Sequence, residues 1–350
     1  MRIALATDAW HPQVNGVVRS LSMTVECLRR RGHEVTVIEP SGFWTIPCPT
    51  YPEIRLAVGP SRRVGRILDE IRPDAIHIAT EAPVGVAARR WCLKRGQPFT
   101  TSFHTRFPDY VSLRSGIPAD WIWPVMRRFH EAAERTFVVT PTLAKEIEGR
   151  GILSTHLWPL GVDLELFNPS VTPHPVVNGL QRPIMLNVGR VAVEKNLEAF
   201  LSLDAPGTKV VVGGGPALES LKAAFPDAIF LGPKHGEELA ACYAAADVFV
   251  FPSRTDTFGL VNIEALACGL PIAAFPVPGP LDIVGSEGRG THGGIGLIGA
   301  LDEDLGVAVR RALFANGASA AAEALHYGWT ICTDRFLSGL AIDSELRRAA

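Results

Sequence analysis

A pair of cationic side chains, Arg190 and Lys195, lies just after the apolar segment 184–188, which we predict to be a buried strand. A strand-to-helix loop can direct both groups at one ligand. Guanidinium and ammonium groups bind phosphate oxygens through charge-assisted hydrogen bonds, so the chemistry that they favour is the binding of a diphosphate. Gly189 begins this loop.

A pair of carboxylates follows sixty residues later, with Asp256 and Glu264 placed on either side of Gly259. We expect Gly259 to open a helix. The unpaired backbone N–H groups at a helix start and the positive end of its dipole favour a phosphate, here near Gly259 and Leu260. Carboxylates accept hydrogen bonds from hydroxyl groups. The two segments together predict a site for a phosphorylated sugar.

The elements that position these residues alternate between short apolar runs and helical patterns. Strands are predicted near residues 3–6, 35–38 and 75–78, with helices at about 16–31 and 64–71 between them, and the same alternation restarts at residue 184. This pattern is typical of parallel sheets with helices on both faces. The proline-rich stretch 168–183 is predicted to be a linker. We therefore expect two doubly wound α/β domains that face each other across a cleft.

Composition restricts the function further. The chain has 350 residues and a net charge of −2, and no apolar run approaches the length of a membrane span. The first 170 residues carry 21 Lys+Arg against 17 Asp+Glu, and the rest carry 13 against 19. The near-neutral total argues against a general nucleic-acid partner, while the basic first half suits an anionic membrane surface. Six cysteines without C-x-x-C spacing suggest reduced thiols, and the polar N-terminal start suggests a cytoplasmic protein.

Further loops carry residue types that suit an anionic ligand. Asn15 and Gly16 follow the first strand and open a helix, where open α/β sheets bind anions. Gly213 and Gly215 follow a predicted strand in the second half. The segment Ser102–Tyr110 collects several polar groups after another strand, and its His104 could hydrogen-bond a sugar hydroxyl or stabilise a developing oxocarbenium ion.

These motifs resemble the donor site of family 4 retaining glycosyltransferases of GT-B fold. The resemblance covers nearly the whole chain, and it rests on the G-R-x4-K-[GN] loop at 189–196, an E-x7-E motif that reads Asp256-x7-Glu264, the N-G-V loop at 15–17 and the F-H-T-x-[FY]-x-x-Y segment at 103–110. The segment at 103–110 resembles the corresponding segment of the family members that form sulfoquinovosyl, mannosyl and glucosyl diacylglycerols. Asp256 departs from the usual Glu by one methylene.

The resemblance implies two Rossmann-like domains, at 1–170 for the acceptor and 171–325 for the donor, and a C-terminal helix at 326–350 that crosses back to the first domain. It implies a nucleotide-sugar donor, with UDP favoured over GDP, and a lipid acceptor such as diacylglycerol. No cofactor is expected. The implied catalytic residues are His104, Arg190, Lys195 and Asp256. The implied donor contacts are Asn15, Gly16, Gly189, Gly213, Gly215, Phe258, Gly259, Leu260 and Glu264.

Contact with the acceptor or the membrane is predicted for two groups of residues. Asp109 and Tyr110 belong to the family segment described above. Trp121, Trp123, Arg127 and Arg128 combine indole rings with cations, as headgroup interfaces do. The segment 61–68 has a similar composition, and an ordinary amphipathic helix explains it equally well. We expect a peripheral protein on the inner face of the cell membrane.

Several alternatives stay open at this point. A transferase with a soluble acceptor, a sugar-nucleotide 2-epimerase and a non-catalytic nucleotide-sugar binding protein would all contain the same donor motifs. A nicotinamide oxidoreductase would need a glycine fingerprint that the sequence does not contain. The triplet 302–304 has D-x-D spacing, but its position before a predicted helix favours helix capping, so no metal site is predicted.

Overall fold

The computed structural model describes residues 1–13, 15–48, 51–104, 106–108, 111–112 and 116–342, with side chains given outside 51–53. The chain forms two compact units. The first consists of Met1–Pro159 and the segment from Cys332 onward, and the second consists of Leu160–Ile331. The first boundary therefore lies about ten residues before the expected one. The stretch predicted as a linker packs on the second unit instead, where His174 N donates to Ala241 O at 2.9 Å.

The first unit contains both strands and α-helices among its described residues. They are β1 (Arg2–Ala6), α1 (Gly16–Arg30), β2 (Glu34–Ile38), β3 (Thr45–Cys48), β4 (Tyr51–Ala57), α2 (Ser61–Ile71), β5 (Ala75–Ile78), α3 (Pro83–Arg95), β6 (Thr100–Phe103), α4 (Ala119–His130), β7 (Arg135–Val138), α5 (Pro141–Gly149) and β8 (Thr155–Leu157), with most of the last helix, α14 (Trp329–Gly339). A parallel sheet has the order β2-β1-β5-β6-β7-β8. The antiparallel hairpin β3-β4 was not predicted.

The central strand β1 shows why these residues form a buried sheet. Successive side chains of a strand point to opposite faces, so a strand covered on both faces must be apolar throughout. Ile3 and Leu5 belong to one core cluster and Ala4 and Ala6 to another. The first cluster includes Leu21 of α1 and the second includes Val64 of α2, so helices cover both faces.

The last helix completes the first unit's core through one aromatic side chain. Phe336 of α14 lies 5.0 Å from both the Trp158 ring and the His77 ring, measured between centroids. Arg135 adds a hydrogen bond to Gly339 O at 2.9 Å. Burial of an aromatic ring of this kind stabilises a fold by about 2–3 kcal/mol, which fixes the end of the described chain on the first sheet.

The second unit repeats the architecture. Its elements are α6 (Pro175–Asn178), β9 (Ile184–Val188), α7 (Leu197–Leu201), β10 (Thr208–Val212), α8 (Leu218–Ala224), β11 (Ile229–Gly232), α9 (Gly236–Ala245), β12 (Val248–Phe251), α10 (Leu260–Ala267), β13 (Ile272–Ala274), α11 (Pro278–Val284), β14 (Gly299–Leu301), α12 (Leu305–Ala312) and α13 (Gly317–Ala324). The parallel sheet order is β11-β10-β9-β12-β13-β14. Strand β9 has the bounds that the sequence predicted, 184–188.

Two further properties bear on the class of protein. Within the described ranges, no helix combines the length and the apolar character needed to cross a bilayer. All six cysteines are free thiols. Burial raises the pKa of Cys92, Cys268 and Cys332 to about 12, so these three thiols stay protonated at neutral pH.

Candidate functional site

The strand order of the second unit marks where a ligand should bind. The chain runs outward from β9 to β10 and β11, then returns to β12 on the other side of β9, so the order reverses between β9 and β12. Doubly wound sheets bind ligands at the carboxyl ends of the strands beside such a reversal. The loops that follow β9 and β12 are 189–196 and 252–259. They carry the predicted cations and the first predicted carboxylate.

An ion pair joins these two loops. Lys195 Nζ lies 2.5 Å from Asp256 Oδ1, and the two side chains are 30% and 19% exposed. The other oxygen, Asp256 Oδ2, is buried and accepts no hydrogen bond from the part of the chain that the structure describes. Buried carboxylate oxygens normally have donors, so this atom is an available acceptor for a ligand hydroxyl.

The other predicted cation is more open to solvent. The Arg190 side chain is 45% exposed, and its Nη1 lies 3.9 Å from Glu194 Oε1 in the next turn of the loop. A pair at this distance and exposure contributes little to stability.

The loop geometry behind the cations depends on Gly213. Its φ is +146°, and a Cβ there would lie only 1.8 Å from Gly189 O. The two loops approach so closely because Gly189 N donates to Val212 O at 3.0 Å and Val191 N donates to Gly214 O at 2.9 Å.

Gly215 extends the same contact. A Cβ at Gly215 would lie 2.3 Å from Val191 O. The loops after β9 and β10 thus form a surface of exposed backbone that only glycine permits at these positions. Their role as donor contacts stays a prediction.

Gly259 is the N-cap of α10, so the helix begins where the sequence predicted. Gly259 has φ +82°, and a Cβ there would lie 2.9 Å from the Phe251 ring. Phe258 is buried with 3% exposure, so a donor contact at this residue would involve its backbone. Leu260 is half-buried as the first residue of the helix. The helix start therefore presents backbone N–H groups, as expected.

Glu264 lies one turn inside α10 and is 2% exposed. Its Oε2 accepts a hydrogen bond from the Tyr243 hydroxyl at 3.0 Å. Neither α9, which carries Tyr243, nor this bond was foreseen, because the two residues are 21 positions apart in the sequence. The bond fixes the side-chain direction of the second carboxylate of the motif.

The first unit has its own reversal of strand order, between β1 and β5. Asp8 follows β1 there and is 2% exposed. Its carboxylate accepts hydrogen bonds from Val84 N at 3.0 Å, Gly85 N at 3.2 Å and Thr80 Oγ1 at 2.9 Å. Burial raises its pKa despite these donors. Sequence reasoning missed Asp8, which caps the start of α3 and so shapes this edge of the sheet.

Asn15 has a structural role beside the one predicted. It is the N-cap of α1, and its Oδ1 accepts a hydrogen bond from Val18 N at 3.0 Å. Asn15 and Gly16 are both exposed. The predicted helix start is confirmed, and the donor role of the two residues stays a prediction.

His104 directly follows β6 and lies against the edge of the Trp158 ring, with the centroids 5.6 Å apart. Burial lowers its pKa from 6.5 to about 4. The imidazole is therefore neutral at physiological pH, which suits a hydrogen bond to a hydroxyl and avoids repulsion of a developing positive charge.

Two other histidines of this unit are buried. His77 is fully buried between Thr100 Oγ1 at 2.8 Å and Ser102 Oγ at 2.7 Å, and burial lowers its pKa well below 6.5. His130 lies between Thr101 Oγ1 at 2.9 Å and Glu81 Oε1 at 3.1 Å. His77 thus belongs to the core. His130 was missed because the helical pattern of α4 gives no sign of its partners.

The structure corrects one of the predicted membrane contacts. Trp123 is 5% exposed, and its ring stacks on Phe103 with centroids 5.7 Å apart. Side chains two positions apart in a helix differ in direction by about 200° around its axis, so Trp121 and Trp123 point to opposite sides, and Trp123 faces the core. Trp121 is 75% exposed and Val125 is 67% exposed.

The cations of α4 remain on the outer side, where Arg127 and Arg128 are exposed. Asp109 and Tyr110, the predicted acceptor contacts, lie outside the described residues. In the triplet 302–304, Asp304 caps α12 by accepting from Gly306 N at 2.8 Å and Val307 N at 3.2 Å, as predicted.

Comparison with known proteins agrees with this arrangement. Residues 14–166 match the model of glycosyltransferase family 4, and residues 174–305 match the model of glycosyl transferases group 1. A GDP-mannose-dependent alpha-mannosyltransferase of Mycobacterium tuberculosis is 34% identical over 81% of this chain and 81% of its own length. An alpha-monoglucosyldiacylglycerol synthase of Streptococcus pneumoniae is 26% identical over 79% of this chain and 72% of its own.

A solved structure supports the fold. Sucrose-phosphate synthase from Thermosynechococcus elongatus matches with a TM-score of 0.70 at 21% identity, covering 100% of both chains. Both units are Rossmann-like, each with a doubly wound parallel sheet. The chain belongs to glycosyltransferase family 4, and it is a glycosyltransferase of GT-B fold that uses a nucleotide-sugar donor.

Proposed function

We propose that this protein transfers a hexose from a nucleotide diphosphate sugar to a hydroxyl group of a membrane lipid, with retention of anomeric configuration. The observation that carries the proposal is the Lys195–Asp256 pair at the strand-order reversal, with Asp256 Oδ2 buried and without a donor in the described chain. In this proposal the pair supplies a cation for the phosphate and, beside it, a carboxylate for a sugar hydroxyl.

In the proposed donor complex, Arg190 and Lys195 bind the diphosphate together with the backbone at Gly259. The Lys195 ammonium has three N–H donors, so it can keep Asp256 while it binds a phosphate oxygen. Asp256 would bind hydroxyls of the donor sugar, and Glu264, held by Tyr243, would bind the ribose.

The proposed reaction breaks the bond between the anomeric carbon and the phosphate oxygen as the acceptor oxygen bonds to the same carbon on the same face. The acceptor proton passes to the departing phosphate oxygen, so no protein nucleophile is needed. Arg190 and Lys195 stabilise the charge that develops on the diphosphate. His104, neutral because burial lowers its pKa to about 4, would hydrogen-bond the reacting sugar.

A lipid acceptor is supported by the surface of the first unit. Trp121, Val125 and Arg128 follow the i, i+4, i+7 spacing of one helix face, and the first two are 75% and 67% exposed. A groove of about 1300 Å³ between α2 and α3 has more cations than acids in its lining: Asp69 and Glu70 lie there with Arg62, Arg66, Arg72, Arg90, Lys94 and Arg95. Exposed indole and aliphatic groups beside cations suit the interface of an anionic membrane.

The donor base remains part of the proposal. The sequence favours UDP, whereas the M. tuberculosis relative is described as GDP-mannose-dependent. The test is therefore an assay of purified protein with UDP-glucose, UDP-sulfoquinovose and GDP-mannose, each with and without vesicles that contain diacylglycerol and anionic phospholipid. Nucleotide release and product mass are both measured.

Release that depends on the vesicles, with a new glycolipid product, is the expected result. Equal nucleotide release with and without vesicles would indicate a soluble acceptor instead of a lipid. Formation of an altered nucleotide sugar without any acceptor would indicate an epimerase. A Trp121→Ser variant should weaken vesicle binding, whereas Phe314→Ser, which removes an equally prominent aromatic at 85% exposure, should not.

A further inference from the structure

The second unit contains a group of potential metal ligands that the transfer reaction does not use. Among the described residues, His292, Glu323 and His326 form the one group of three or more such side chains whose ligand atoms all lie within 4.8 Å of one another. We propose that these residues bind a divalent transition-metal ion, with Zn²⁺ as the fitting ion, and that the ion fixes the glycine-rich loop 285–296 to α13.

The type and spacing of the ligands suit this ion. Zn²⁺ binds imidazole nitrogen and carboxylate oxygen at about 2.0–2.2 Å, which places tetrahedral ligand atoms about 3.3 Å apart. Glu323 lies in the last turn of α13, and His326 lies three residues later in the 3-10 turn Leu325–Tyr327. This Glu-x-x-His spacing brings both side chains to one side. His292 comes from the loop. Two nitrogens and one oxygen leave a fourth position for water.

The three side chains are already oriented towards one another. His292 Nδ1 lies 2.7 Å from Glu323 Oε1, and the His292 and His326 rings are parallel within 9° at 4.2 Å between centroids. Glu323 is 4% exposed, whereas both histidines are exposed. A buried carboxylate with two histidines on its solvent side leaves an open path for an ion.

The loop is held mainly by hydrogen bonds, among them Gly290 N to Val284 O at 2.8 Å and Thr291 Oγ1 to Asp282 O at 3.2 Å. It contains six glycines, at 285, 288, 290, 293, 294 and 296, and Ile295 is 90% exposed, so the loop buries almost no apolar surface. Ordering glycine costs more conformational entropy than ordering any other residue. Two contacts of the loop with α13 meet at Glu323, whose Oε1 lies 2.7 Å from His292 Nδ1 and accepts from Thr291 N at 3.0 Å.

The loop approaches Glu323 as closely as glycine allows. A Cβ at Gly290 would lie 2.5 Å from Glu323 Cδ. A metal bound here would add bonds between the loop and α13. The Tyr327 ring connects this point to Phe258 of the predicted donor loop, because its centroid lies 5.4 Å from that of His292 and 5.9 Å from that of Phe258.

The experiment uses the full chain without a purification tag of histidines, stripped of metal by dialysis against a chelator. Zinc chloride binding is measured by competition with a chromophoric chelator, and the thermal midpoint is followed with and without zinc. Cobalt chloride gives a second reading, because Co²⁺ in a tetrahedral site of mixed nitrogen and oxygen ligands has visible absorption.

We expect one equivalent of Zn²⁺ and a higher thermal midpoint in its presence. His326→Ala removes an exposed ligand and should weaken binding at least tenfold, since loss of outer-shell partners alone costs about 10- to 100-fold. Glu323→Gln should weaken it as well. His235→Ala, which removes another exposed histidine of this unit, is the matched control and should bind zinc as the parent protein does.

The proposal is overturned if the parent protein and His326→Ala bind zinc equally, or if neither binds it. The thermal midpoint without zinc should be similar for the parent and His326→Ala, which separates loss of a ligand from loss of folding. Zinc binding and the thermal midpoint do not involve sugar transfer, so these measurements test the metal site independently of the proposed donor and acceptor.

Discussion

The ion pair between Lys195 and Asp256 allows binding and catalysis to be separated from stability. Lys195→Met keeps much of the side-chain volume and removes the charge. We expect turnover to fall about 10²- to 10³-fold, the usual effect of removing one preorganised group that stabilises a developing anion. This corresponds to about 2.7–4 kcal/mol of transition-state stabilisation.

The same variant should also lower stability, for a different reason. Asp256 is only 19% exposed, and its Oδ1 loses the Lys195 ammonium at 2.5 Å while Oδ2 has no donor in the described chain to compensate. A partly buried polar group left without its partner costs about 1–3 kcal/mol. The double variant Lys195→Met with Asp256→Asn removes both charges and should regain most of that stability, but it should not regain activity.

The assays are urea unfolding for stability, calorimetric titration of the donor for binding and nucleotide release for turnover. Lys222→Met serves as control, because Lys222 forms only an exposed pair with Glu219 in the same unit. Turnover of Lys195→Met within threefold of the parent would refute the catalytic assignment. Recovery of activity in the double variant would show that the pair serves stability alone.

Three other changes test neighbouring parts of the site. Gly213→Ala should lower stability by about 1–3 kcal/mol and weaken donor binding, because the new Cβ would meet Gly189 O at 1.8 Å, whereas Gly179→Ala has only ordinary contacts and should be neutral in the same unfolding assay. Glu264→Gln should raise the donor KM about tenfold with little change in kcat, measured by initial rates. The pKa of His104 falls from 6.5 to about 4 on folding, so the unfolded chain binds more protons than the folded chain between these pH values. The free energy of unfolding therefore decreases as the pH falls below 6.5. His104→Gln should reduce that decrease, measured by urea unfolding at pH 7 and pH 5.

The parts of the fold and site that sequence could predict are those encoded locally. Strand β9 and the loop after it are adjacent in sequence, and parallel strands bring their carboxyl ends to one edge, so Lys195 and Asp256 could be expected near each other. Trp123 was misassigned because composition ignores which face of a helix a residue occupies. The contact between His292 and Glu323 spans 31 residues and two elements that carry no shared pattern, so no local signal could reveal it.

The acid at position 256 is where this chain departs from the motif of its family, and the structure indicates what the departure does. An Asp carboxylate lies about one C–C bond, or about 1.5 Å, closer to the backbone than a Glu carboxylate would. It still reaches Lys195 at 2.5 Å, so the ion pair does not require the longer side chain.

With Oδ1 kept on Lys195, the extra methylene of Glu would displace mainly the other oxygen, which corresponds to Oδ2, the atom proposed to bind the donor sugar. Asp256→Glu should therefore keep the ion pair and stability while it alters the choice among donor sugars by about tenfold, the scale of discrimination that one methylene gives. The measurement is the ratio of kcat/KM for the preferred donor to that for each competitor, in parent and variant. An unchanged ratio together with unchanged stability would mean that this carboxylate does not bind the donor sugar, and its buried oxygen would then need another partner.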